Sequence, residues 1–194
     1  MNTNHYNPKI HHRRSIRLSG YDYSQEGAYF ITICCQDKVC RFGTVENDKM
    51  MLNECGLIAA NEWIALPNRF INIEVDVFQI MPNHIHGIII VKDVGATLAV
   101  AQSFMGETAY AGQPQGIAPT QVVHGTIPAI IGAYKSLVSN GCLKIYKSKN
   151  KPMGKLWQRN YYEHIIRNEQ SYRTISQYVT DNPAKWAFDK LFTV

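Results

Sequence analysis

The sequence predicts an α+β fold, a ferredoxin-like β-α-β-β-α-β antiparallel sheet with helices on one face and an added C-terminal helix. Three observations carry this. Four segments read as strands from alternating or β-branched and aromatic residues, two segments between them show apolar stripes at helical spacing, and a third such stripe follows the last strand.

The first strand begins at Gly27. In GAYFITICCQ, Tyr29, Ile31, Ile33 and Cys35 share one face and Phe30, Thr32 and Cys34 the other, as in a buried strand. After the turn-rich stretch DKVCRFGTVEND, the segment MLNECGLIAANEWIAL sets Leu52, Cys55, Ala59, Trp63 and Leu66 three and four apart, which predicts the first helix. The run INIEVDVFQIM alternates Ile71, Ile73, Val75 and Val77 with Asn72, Glu74 and Asp76. Met-Pro-Asn then turns the chain into HIHGIIIVK, so the two form a hairpin.

Thr126 as cap and Pro128 just inside open the second helix, with a stripe of Ile127, Ile130, Ile131, Tyr134, Leu137 and Val138. The tract KIYKSKNKPMGK reads as a basic loop, and LWQRNYYEHIIRN as the last main strand. Asn168 then caps a helix whose stripe is Tyr172, Ile175 and Val179 and which stops near Asn182-Pro183.

A chain of 194 residues, 45% hydrophobic and 18% charged, fits a single domain over 1–194 and excludes a disordered polyelectrolyte. Its net charge of +5 leans toward a polyanionic partner. The longest apolar run, Ile85 to Val91, contains His86 and falls far short of the roughly 20 residues of a membrane span. The N-terminus has no apolar stretch of signal length, so a cytoplasmic protein without membrane contact is expected. Five cysteines without a Cys-x-x-Cys pair fit reduced thiols. Residues 1–20 form a basic arm with Lys9, Arg13, Arg14 and Arg17, and 92–127, rich in Gly, Ala, Gln, Thr and Pro, read as a mobile insertion.

Two short segments carry chemistry. His84 and His86, two apart on a strand, point to one face and can converge on a cation or a phosphate. Tyr178 and Asn182, four apart on the last helix, share a side and can lie against the sheet's edge. Each pair alone has a plain structural explanation: satisfied histidines, an amphipathic border tyrosine, and an amide at a helix end.

Together they resemble the single-tyrosine HUH transposases, the insertion-sequence class that includes the REP-associated tyrosine transposases. The resemblance runs through RRSIRLSGYDYS, GAYFITICCQ, MPNHIHGIIIV, IIGAYKSLV, LWQRNYYEHIIRN and YVTDNP, with MPNHIHG and WQRNYYEHIIRN the specific signals. It implies that the added helix carries the nucleophile Tyr178, and that His84, His86 and Asn182 bind a divalent metal, Mg2+ or Mn2+. Imidazoles alone would suggest a zinc-like metal.

The activity implied is nicking and rejoining of single-stranded DNA at hairpin repeats through a 5′-phosphotyrosine, for transposition or repeat mobilisation, by a monomer or homodimer. A tyrosine of ordinary pKa near 10 needs help to lose its proton, and Glu163 and His164 are candidates. Arg159, Arg167 and the five lysines 144, 147, 149, 151 and 155 could follow the backbone, and Tyr146, Trp157, Tyr161 and Tyr162 could stack on bases. A histidine-triad hydrolase would want a third histidine where Ile88 stands, and a two-histidine phosphoesterase would want two separate His-x-Ser/Thr motifs. The alternative kept open is a hairpin-specific single-stranded nucleic-acid-binding protein without catalysis.

Overall fold

A computed structural model describes residues 22–92 and 124–192. The basic arm 1–20 and residues 93–123 of the expected insertion lie outside the described residues. Among the described residues six strands form, β1 (Gly27–Cys34), β2 (Gly43–Glu46), β3 (Lys49–Leu52), β4 (Ile73–Ile80), β5 (His84–Val91) and β6 (Tyr162–Ile166). The described residues also form three α-helices, α1 (Glu54–Ile64), α2 (Ile127–Ser148) and α3 (Glu169–Asp181).

The main sheet runs β4-β5-β1-β6 with every neighbour antiparallel, the strand order expected of a ferredoxin-like sheet. One face is covered by α1 and α2. Tyr29, Ile31 and Ile33 of β1 and Ile85 and Ile89 of β5 pack there with Trp63 and Tyr134, all fully or almost fully buried. Gly87 belongs to this face: a Cβ on it would sit 2.4 Å from Trp63 Cζ2, so the indole lies where a side chain would be. The Tyr134 hydroxyl donates to Ala59 O at 2.9 Å and ties α2 to α1.

Four sequence expectations are corrected. The stretch read as turns contains the β2-β3 hairpin, closed by Asn47 and Asp48 at φ 49° and 60°, the left-handed pair a two-residue hairpin loop requires. Leu52 therefore ends a strand, and α1 starts after Asn53, whose side chain accepts from Gly56 N at 3.0 Å. Second, α2 continues through Ser148, so Lys144 and Lys147 are helical, and β6 is confined to Tyr162–Ile166 with Trp157 making only an isolated bridge to Cys35. Third, Ile71 is exposed and Asn72 buried, because the Asn72 carboxamide exchanges hydrogen bonds with the Gly125 backbone.

The fourth concerns the alternation in β4. A bulge between Val75 and Phe78 turns Val77 to the far face and Phe78 to the α1/α2 face. On that far face α3 lies across the sheet, not along its edge. Val179 packs on Phe30, Ile88 and Ile166, with Tyr172 and Ile175 at the border, and the Tyr172 hydroxyl donates to Asp76 of β4. Asn168 caps α3 as expected, accepting from Ser171 N at 2.8 Å. None of the five cysteines is in a disulfide, and no helix among the described residues is long and apolar enough to cross a membrane.

Candidate active site

The period of β5 puts His84 and His86 on the α3 face, beside Thr32 and Cys34 of β1. Both imidazoles are buried, with ring centroids 4.5 Å apart. His86 Nδ1 lies 2.8 Å from Thr32 Oγ1 across the strands, and His84 Nδ1 lies 2.8 Å from Asn83 Oδ1.

The last turn of α3 brings Tyr178 onto this end of the face. Its hydroxyl is 3.1 Å from His86 Nε2, its ring stands edge-on to Phe30, and it is 43% exposed, open to a ligand from solution. Asn182 follows the helix and is almost fully buried. Pro183 starts a 3-10 segment, Pro183–Phe188, that bends the chain back so that Asp189 Oδ2 accepts from Asn182 Nδ2 at 2.9 Å. Ligand-type atoms of His84, His86 and Asp189 all lie within 4.8 Å of one another, close enough to hold one metal ion.

Burial holds both imidazoles neutral. The pKa of His84 is lowered to about 4 by desolvation, against the opposing pull of the Asp189 carboxylate and Asn182, and that of His86 is pushed well below its ordinary value by desolvation and then by His84. Tyr178 moves the other way: desolvation and the Asp189 charge raise its pKa while the Asn182 amide lowers it. A cation fits these residues on one independent ground. His84 Nε2 and Asn182 Oδ1 are buried polar atoms with no hydrogen-bond partner, a costly arrangement unless something else satisfies their lone pairs.

No family model matches the chain. An uncharacterised protein of Haemophilus influenzae is 40% identical over 191 residues, spanning 98% of each chain. The two proteins belong to one family. Among solved structures, a REP-associated tyrosine transposase bound to a REP hairpin superposes with a TM-score of 0.52 at 16% identity, covering 90% of this chain and 76% of that one. The likeness establishes a shared fold, the fold that the sequence resemblance implied.

In this family member the four residues singled out from sequence, His84, His86, Tyr178 and Asn182, come together at one end of the sheet face. Asp189 was not anticipated. It follows a short 3-10 segment with no periodic pattern, and an acid seven residues beyond the amide was the only signal. Glu163 pairs with Ile31 and so turns to the α1/α2 face, away from Tyr178, whereas His164 lines a neighbouring groove with Tyr162.

A cavity of about 960 Å³ opens over Tyr178 and His86, walled by Phe30, Tyr162 and Phe188 with Lys185 and Lys190 at its border. Of the aromatics offered for stacking only Tyr162 reaches it. Trp157 is buried against Phe42, and the Tyr146 hydroxyl accepts from Arg41 beside Lys149 and Lys151, in a separate pocket. Phe188 is 90% exposed, an aromatic ring left in solvent beside the tyrosine.

Proposed function

We propose that the protein nicks and rejoins single-stranded DNA at hairpin repeats, with Tyr178 as nucleophile, in transposition or repeat mobilisation in the cytoplasm. The observation that carries the reading is the Tyr178 hydroxyl 3.1 Å from His86 Nε2, beside two buried unpartnered acceptors and a cavity large enough for a nucleotide. The solved neighbour's REP hairpin suggests the substrate class.

His84, His86 and Asn182, with Asp189 beside them, would hold a divalent cation, which supplies charge neutralisation at the non-bridging phosphate oxygens. The amide and carboxylate oxygens make the donor set harder than two imidazoles alone, in keeping with Mn2+ or Mg2+.

The chain's own groups do the rest. Lys185 and Lys190 border the cavity and can neutralise flanking phosphates. The Tyr178 oxygen attacks phosphorus, its bond to the 3′ oxygen breaks, and the products are a 5′-phosphotyrosine and a free 3′-hydroxyl. With His86 Nδ1 held by Thr32 and Nε2 turned to the cation site, the phenolic proton passes to the Asp189 carboxylate, whose charge reaches the phenol, and from there to the departing 3′ oxygen. Reversal of the same step rejoins a strand without ATP. One chain supplies every group named, whether in a monomer or in each half of a homodimer.

The test is a hairpin oligonucleotide taken from repeats flanking the protein's own gene, incubated with protein and Mn2+ or Mg2+. The expected product carries a 3′ end that a polymerase extends. Tight binding with no cleavage in either metal would leave the binding-only alternative.

A further inference from the structure

We propose that Asn83 is a positioning residue for the candidate cation site. Its carboxamide sets which nitrogen of His84 faces the site and ties the C-terminal segment bearing Asp189 to the same imidazole. The inference rests on His84 as a ligand, the reading given above.

Asn83 sits in the turn between β4 and β5 and is 1% exposed. Its Nδ2 donates to Lys38 O at 3.0 Å and Leu191 O at 2.8 Å. Carbonyl oxygens only accept, so the amide has one orientation, with Oδ1 directed at His84 Nδ1. That oxygen carries no proton, so the hydrogen lies on His84 Nδ1. A neutral imidazole has a single N–H, so Nε2 is left as a bare lone pair. It is the same Nε2 that is buried without a partner.

The other end of the carboxamide reaches the second half of the site. Leu191 accepts from Asn83 through its carbonyl and donates its N–H to Asp189 Oδ1 at 2.6 Å. Asn182 Nδ2 occupies Asp189 Oδ2, and Lys38 Nζ holds the neighbouring Lys190 carbonyl at 3.2 Å. One unbroken set of hydrogen bonds therefore runs from His84 through Asn83 and Leu191 to Asp189 and Asn182. Removing the carboxamide frees the His84 tautomer and releases the Asp189 segment together, the two effects expected of an outer partner that orients a ligand.

The test uses the full chain without DNA, labelled with 15N-histidine. Long-range 1H–15N spectra of the metal-free protein are expected to show His84 with its proton on Nδ1. Asn83→Ala is expected to shift His84 toward the Nε2–H form and to weaken Mn2+ binding, read by titration calorimetry, about ten- to a hundred-fold. Asn83→Asp keeps an acceptor for Nδ1–H but loses the donors, so it should restore the tautomer and most of the Mn2+ affinity while speeding amide exchange at Leu191.

An Nε2–H tautomer in the unaltered protein overturns the proposal, as does Asn83→Ala with tautomer and affinity unchanged. Should Asn83→Ala not fold, the unaltered protein and Asn83→Asp still decide. Correct tautomer with no Mn2+ binding overturns the cation reading, and the positioning role with it, and is distinguishable from failure of the Asn83 geometry.

Discussion

Tyr178 and His86 meet at 3.1 Å although 92 positions separate them, because a strand pointing one way and a helix laid across that face converge at one end of the sheet. The contact exists because α3 occupies the face that α1 and α2 leave open. Val179, beside Tyr178 in sequence, packs on Phe30, Ile88 and Ile166 and so sets the height of the phenol above the histidines.

Cation binding should stabilise the fold, since a ligand that binds only the native state adds about 2.7 kcal/mol at a hundred times its dissociation constant. For a chain of this size that is a rise of roughly 5–10 °C in Tm. Thermal unfolding with Mn2+ and then with chelator checks it, and His84→Ala should abolish the rise.

Acid should destabilise the metal-free protein through the same residues. His84 titrates near 4 when folded and near 6.5 when unfolded, so below 6.5 the unfolded chain binds more protons. The contribution is fully present above pH 6.5 and is lost as pH falls toward about 4. It is on the order of 3 kcal/mol for His84, with His86 shifted in the same direction. Urea unfolding in chelator from pH 7.5 to 4.5 should show this loss, and a flat profile would contradict it.

Phe188 and Tyr162 should each contribute to holding unpaired bases. Truncating a stacking aromatic costs about 1–3 kcal/mol per base. Phe188→Ala and Tyr162→Ala are expected to weaken binding of single-stranded DNA with little change in Tm, because both rings are more than half exposed. Fluorescence anisotropy with a short unpaired oligonucleotide measures it.

Gly87→Ala should destabilise without touching the chemistry directly. The added methyl has to displace Trp63, whose Cζ2 would lie 2.4 Å away, and overpacking of this kind costs about 1–3 kcal/mol. Denaturant unfolding gives the value.

How much was legible follows from periodicity. The histidine pair was readable because a strand repeats every two residues, and Tyr178 with Asn182 because a helix returns after four. Asp189 follows a 3-10 segment with no repeating pattern, and Asn83 acts through Lys38 and Leu191, neighbours that only the fold supplies. The β2-β3 hairpin carried its Asn47-Asp48 turn signal, but its strands span four residues each and are too exposed to alternate strongly. The β4 bulge inverts the alternation midway, so Val77 and Phe78 face opposite to a regular strand's order.

The proposed nucleophile is Tyr178, and its attack on DNA leaves a covalent mark on the protein. Mass analysis of the protein after incubation with a single-stranded repeat hairpin and Mn2+ tests it most directly. A covalent nucleotide adduct is expected on Tyr178, absent in Tyr178→Phe and in chelator while hairpin binding by Tyr178→Phe persists. An adduct on another residue, or cleavage undiminished in Tyr178→Phe, would contradict it.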